Sequence, residues 1–199
     1  HIINWDEFKD LQRSFLKAGV IDLELLTDHA ITGLIFKLAD KFNVKYILAG
    51  DNYMSENGLP KTWNWIKSDL KNIEDIQKKY GTKKIKTFPK VNFLRWYMTF
   101  YFGYKVKFLD ILNNINYNKI EAIQTLKSYF GWNEYGGKHH ESILTKFYQL
   151  YILPKKFNVD KRKSHISALI RSNQISREQG QMELKKPFYE GNQMQLEKE

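Results

Sequence analysis

The stretch 27-TDHAITGLIFKLADKFNVKYILAGDNY-53 decides the fold. Ala30, Ile31, Leu34, Ile35, Leu38 and Phe42 recur at helical spacing, with Thr27 or Asp28 placed to cap the start and Asn43 to stop the helix. The following VKYILAG is short and almost wholly apolar, the pattern of a strand buried in a parallel sheet. Helix, buried strand and then Gly50-Asp51-Asn52 make an α/β unit with a polar loop at the strand's carboxyl end. Ligands of open α/β sheets bind at such loops.

Outward from this unit, residues 60–80 predict a polar helix around Trp63, Trp65, Ile66, Leu70 and Ile73. From Gln77 to Lys107 the chain carries nine basic residues and no acid, interleaved with the aromatic run FLRWYMTFYFGY. That run is no membrane span, because Arg95 and Gly103 interrupt it and it falls short of the ~20 residues required. VKFLDIL suits a second strand, and Asn118 with Glu121 opens a helix that Gly131 closes. A further helix is expected from His140 to Leu153, where Pro154 stops it, another after Asp160, and another at the Ser176–Gln179 capping box. These elements divide the chain into an α/β region (1–115), a helical region (116–189) and a flexible polar tail (190–199).

With 199 residues, 42% of them hydrophobic, the chain has ample material for a core and is not a disordered sequence. Thirty-two basic against 22 acidic residues give a net charge of +10, which favours an anionic partner. The absence of cysteine excludes a disulfide framework and thiolate metal sites and agrees with a cytoplasmic location. The opening HIINWDEFKD has neither an initiator Met nor a signal-peptide pattern, and reads as the middle of a longer gene product.

Four clusters are candidates for chemistry. At Gly50-Asp51-Asn52, a glycine at a strand end lets a nucleotide approach the backbone, while Asp51, Asn52 or Glu56 suit ribose hydroxyls or Mg²⁺; the same residues also fit an ordinary Asx turn. Asp28-His29 places an acid and an imidazole at a helix start, or simply a cap and its neighbour. In the run Gly136-Gly137-Lys138-His139-His140-Glu141-Ser142, Lys138 suits phosphate and the imidazoles can donate hydrogen bonds or move protons. Glu141 can hold Mg²⁺ or orient an imidazole. Lys155, Lys156, Lys161, Arg162 and Lys163, with His165 and Arg171, form either a diphosphate cradle or a solvated basic face.

The segments TDHAI, NVKYILAGDN, KKYGTKKIKTFP, FGWNEYGGKHHES, TKFYQLYILPKKFNVDKRKSHISALI and SNQISREQGQMELKKPFY together resemble the C-terminal portion of the N-acetyl sugar amidotransferases. These are PP-loop enzymes of bacterial lipopolysaccharide and surface-glycan biosynthesis. The resemblance implies an α/β, Rossmann-like, adenine-nucleotide α-hydrolase-like parallel-sheet domain with a helical C-terminal extension. It implies ATP- and Mg²⁺-dependent conversion of a sugar acetamido group to an acetamidino group through an adenylylated intermediate. Ammonia would come from a separate glutaminase subunit, and the substrate would be a nucleotide sugar.

Carried over by position, Gly50, Asp51, Asn52 and Asp28 fall on the nucleotide side and Lys138, His139 and Glu141 in the catalytic run, Glu141 also as metal ligand. His140, Lys155, Lys161, Arg162 and His165 fall on the substrate side. The family's Ser-Gly-Gly-x-Asp-Ser phosphate loop is absent from these residues, so the pyrophosphate-binding half of the site is missing. No stable nucleic-acid partner and no transmembrane segment are expected, and a homo-oligomer stays open. Two rival readings rest on the Lys78–Lys107 band: an RNA-binding PP-loop protein of the tRNA-modifying kind, and a module that docks on membrane surfaces.

Overall fold

The computed structural model describes residues 4–56, 59–63, 65–133, 140 and 142–189. They are helical for the most part, with one small two-stranded parallel sheet, an arrangement compatible with an α/β fold. The chain divides into two compact units, His1–Ala49 with Lys61–Leu109, and Gly50–Pro60 with Asp110–Glu199.

In the first unit, α1 (Trp5–Ala18) opens at Asn4, whose side chain accepts the Glu7 N–H, and ends at Gly19 in the left-handed region (φ 66°). It buries Leu11 and Phe15 against α3 (Leu70–Tyr80), which contributes Ile73 and Ile76. Only the second half of the helix expected over 60–80 forms. Asp69 takes the Asn72 N–H and so fixes the start at Leu70, while the Trp65 N–H is held by the Asp22 carboxylate. Helix α2 (Leu25–Phe42) ends at Asn43 as expected, but Thr27 and Asp28 lie inside its first turn and cap nothing. The start is set by burial: Leu25 and Leu26 are fully enclosed, and Glu24 precedes the helix without a side-chain cap.

Strand β1 (Tyr46–Ala49) pairs with β2 (Lys107–Asp110). The expectation of a strand buried on both faces fails. Ile47 packs with Phe36, Ala39, Val91 and Val106, whereas Tyr46 and Leu48 are 59% and 68% exposed. The aromatic run forms α4 (Phe93–Phe102), stopped by Gly103 in the left-handed region. Trp96 pairs with Phe100, which stacks on Phe108 and tilts against Phe36, while Phe93, Tyr97 and Tyr101 form an exposed ladder.

Two carboxylates tie the loop before α4 to α1. Glu7 accepts N–H bonds from Lys86, Thr87 and Phe88 at 2.8–3.0 Å, together with the Thr87 hydroxyl. Burial pushes its carboxyl upward, but these donors outweigh burial and hold it below the usual range. Asp10 accepts from Gln77, Thr82 and Lys83, and the same balance holds its carboxyl well below the ordinary value. The basic band is therefore not uncompensated. Acids elsewhere in the chain pair with Lys79 (Asp75), Lys83 (Asp6), Lys90 (Glu74), and both Arg95 and Lys105 (Asp40).

In the second unit, a short 3₁₀ turn (Ile111–Asn114) leads to α5 (Lys119–Phe130), capped by Asn118 and closed by Gly131 as the sequence predicts. The next helix opens at Ile143 and not at His140, because the Ser142 side chain accepts the Thr145 N–H. It runs as α6 (Ile143–Phe147), a π-helical segment (Tyr148–Ile152) and α7 (Leu153–Phe157) without a break. Pro154 thus does not stop it. In the widened segment Leu153 N–H donates to Tyr148 O, and the looser spacing admits the ring that an α-helical turn would reject. Helices α8 (Arg162–Arg171) and α9 (Arg177–Lys185) form where expected, α9 with the full capping box. They meet at Gly180, where an added Cβ would lie 2.7–2.8 Å from Ile170 and Ile166 side-chain carbons.

Candidate functional site

The loop at the carboxyl end of β1 belongs to the second unit together with the C-terminal helices. Three contacts hold it. Asn52 is buried and its Oδ1 accepts from the Ser55 N–H and hydroxyl, at 2.8 and 3.0 Å. The Tyr53 N–H donates to Asn113 Oδ1 at 2.9 Å. The Ser172 hydroxyl, just beyond α8, donates to Met54 O at 2.7 Å. The Asx turn weighed from sequence is therefore what Asn52 forms, and its oxygen is already engaged. Gly50 and Asp51 are exposed, and a Cβ on Gly50 would meet nothing within 4 Å, so a ligand has open access to that backbone.

Gln174 secures the neighbouring segment. Its Oε1 accepts the Lys119 N–H and its Nε2 donates to Tyr117 O, while Tyr117 in turn hydrogen-bonds the Ser55 side chain. Sequence reading missed Asn113, Ser172 and Gln174 as anchors. Contacts between residues as far apart as Met54 and Ser172 leave no periodicity to find.

Of the basic block, Lys155 is exposed and Lys161 half-buried. Arg162 has a different setting. Its Nε and Nη2 fork onto the Asp160 carboxylate at 3.0 and 2.9 Å, Nη1 donates to Lys186 O at 2.9 Å, and the guanidinium lies 4.0 Å over the Phe188 ring. It locks the start of α8 to the chain leaving α9. His165 is half-buried one turn further along the same helix. The loop's anchor, Ser172, lies at the other end of α8, roughly 15 Å from Arg162 at 1.5 Å per residue. The structure thus joins loop and basic block through one helix but places them at its opposite ends.

Asp28 and His29 lie in the first unit. Asp28 pairs with Lys67 at 2.8 Å, and Lys67 also grips Asp22. Burial opposes the charge on Lys67, but the two carboxylates outweigh it and raise its affinity for the proton. His29 is fully buried. Its Nδ1 donates to Lys67 O at 2.7 Å, its Nε2 accepts the Val91 N–H at 3.2 Å, and its ring stacks on Phe88. Those partners require the neutral ring, and burial lowers its pKa accordingly. His29 is a structural pin. His140 is described and partly buried; Gly136, Gly137, Lys138, His139 and Glu141 lie outside the described residues.

The helices that follow this run carry a likeness to a family of known proteins. Residues 141–199 match the family model described as "LPS biosynthesis protein WbpG-like, C-terminal domain". The matched region starts inside the Lys138–Ser142 run and takes in α6 to α9. This WbpG-like likeness supports a role in lipopolysaccharide biosynthesis. Comparison with curated proteins and with solved structures returned no match. Among the described residues no helix is long and apolar enough to cross a membrane.

Proposed function

We propose that the chain serves an ATP-dependent amidotransferase that converts the N-acetyl group of a nucleotide sugar to an acetamidino group during lipopolysaccharide or surface-glycan synthesis. The observation that carries this reading is the WbpG-like match over 141–199, which begins within the run singled out for chemistry. The parallel strand pair, followed by an open glycine at the carboxyl end of β1, is what a nucleotide-binding sheet would present.

ATP supplies the activation that an amide needs, since its oxygen is otherwise too poor a leaving group. On the protein side, the Gly50–Asp51 backbone admits the nucleotide, and Lys138 and His139 neutralise phosphate charge. Lys155, Lys161, His140 and His165 bind the substrate diphosphate. Arg162 holds the frame of that surface, its guanidinium being occupied by Asp160 and Lys186. Glu141 with substrate phosphates is the proposed seat of Mg²⁺. A glutaminase partner supplies ammonia, and the reaction is placed in the cytoplasm, where nucleotide sugars and ATP are available.

The test uses the full-length protein with ATP, an ammonium salt and N-acetylated nucleotide sugars, with mass spectrometry to detect exchange of the amide oxygen for an imino nitrogen. Lys138→Ala and Glu141→Ala should each lower turnover by about 10²-fold while thermal unfolding stays unchanged. Near-normal turnover in both variants removes these residues from the site.

A further inference from the structure

The first unit contains a cleft of about 870 Å³ that the amidotransferase reading does not use. It runs along α2 from Gly33 to Asp40, is walled on one side by residues 86–92, and ends at Tyr104 and Lys105, just ahead of β2. Its Asp40 and Lys105 end therefore lies by the amino ends of the parallel strands, whereas Gly50 lies at the carboxyl end of β1.

Its charge is one-sided. Lys37, Lys86, Lys90, Arg95 and Lys105 line it against one carboxylate, Asp40. Asp40 engages Arg95 at 2.9 Å and Lys105 at 3.8 Å, and Lys90 reaches Glu74 at 2.7 Å. Neither Lys37 nor Lys86 has an ion-pair partner among the described residues. The Arg95 guanidinium is clamped 5.2 Å from both the Phe36 and Tyr104 rings, and its buried Nε–H has no acceptor. Such a donor is costly to leave unmade and is a common mark of a missing anion or water.

The backbone adds an independent sign. Lys105 adopts φ 67°, in the left-handed region; the other non-glycine residues described there are Asn43, Asn158 and Asn173, which tolerate it. A lysine held in that conformation is strained, and strain of this kind gathers at ligand clamps. The loop opposite cannot relax easily, because Glu7 and His29 hold its amides.

We propose that this cleft binds a small molecule carrying two or more phosphate groups, at a site separate from the carboxyl-end loop. Several cations spread along a concavity of drug-like size suit a diphosphate better than a single phosphate. A continuous nucleic-acid backbone would need an open track in place of a walled cleft. The proposal stands independently of the amidotransferase reading.

The experiment is calorimetric titration of the full chain with pyrophosphate, orthophosphate serving as the single-anion comparison. Pyrophosphate should bind more tightly than orthophosphate, with at least one site per chain that depends on Lys37 and Lys86. The Lys37→Glu/Lys86→Glu double variant should weaken it by at least about ten-fold without moving the ligand-free melting temperature. Should the charge reversal disturb folding, Lys37→Gln/Lys86→Gln gives the same reading through the shift in melting temperature that pyrophosphate produces. Asp51→Ala, at the carboxyl-end loop, should leave this binding unchanged. Absence of binding to the parent protein, or unaltered affinity in the lysine variants, overturns the proposal.

Discussion

Replacing Arg162 with alanine separates a lock from a grip. In the structure this side chain is 24% exposed and forks onto Asp160, which is itself only 14% exposed. It also holds Lys186 O and stacks on Phe188. A hydrogen bond to a charged group contributes about 1.5–3 kcal/mol net, and a partly desolvated cation over an aromatic ring roughly 0.5–2 kcal/mol. These contributions overlap, since one guanidinium makes them all. The Asp160 carboxylate keeps one donor, the Arg162 backbone N–H at 3.0 Å, which softens its isolation. Arg162→Ala should therefore cost about 2–4 kcal/mol. Arg162→Lys should recover only part of this, because an ammonium cannot reproduce the planar fork. The assay is urea unfolding followed by circular dichroism, with denaturant slopes checked for equality so that the midpoint shift reports stability. An unfolding free energy within about 0.5 kcal/mol of the parent, the usual range for an uninvolved surface change, would refute the structural role. Arg162 would then return to the substrate-binding set.

Glu7→Gln should destabilise the first unit by about 1–3 kcal/mol in thermal unfolding, because it removes the charge that three backbone N–H groups and Thr87 share. Since the folded Glu7 and Asp10 carboxyls sit below their unfolded values, their contribution is complete above about pH 4.3. It is lost as pH falls through the lowered folded values, so Glu7→Gln should flatten that part of a stability–pH curve. His29 acts in a higher window. Its folded pKa is lowered, so stability should begin to fall as pH drops below about 6.5, and His29→Gln should abolish that inflection while lowering stability overall. Gly33→Ala and Gly50→Ala should differ. A Cβ at Gly33 would lie 3.1 Å from Pro89 backbone atoms in a pinned loop, so strain should outweigh the helix-propensity gain and cost about 1 kcal/mol, while Gly50→Ala should unfold like the parent.

What was legible in the sequence is what short-range chemistry dictates. Asn43 and Gly131 end their helices because αL geometry suits them, and Asn118 and Ser176 open theirs by offering oxygens to free N–H groups. The strand at Tyr46–Ala49 was readable from its apolar run, but its burial was not, because burial depends on how many strands flank it. Pro154 misled for a similar reason. The penalty for proline assumes α spacing, and a π segment removes it. At the candidate site the Asn52 turn was visible as one of two options, whereas the roles of Arg162 and His29 were not. A charge run looks the same whether its arginine faces solvent or is clamped by Asp160 and Phe188. Likewise, nothing near His29 in sequence announces Lys67 or Val91 as its partners.

The central claim is that the amide oxygen of an N-acetyl sugar is activated and replaced by nitrogen. Its most direct test follows that oxygen. Full-length protein, ATP, an ammonium source and a nucleotide sugar bearing a heavy-oxygen label in its acetyl carbonyl should yield an acetamidino sugar, pyrophosphate, and AMP that carries the label. Label retained in the sugar, or an acetamidino product formed with unlabelled AMP, would contradict the account.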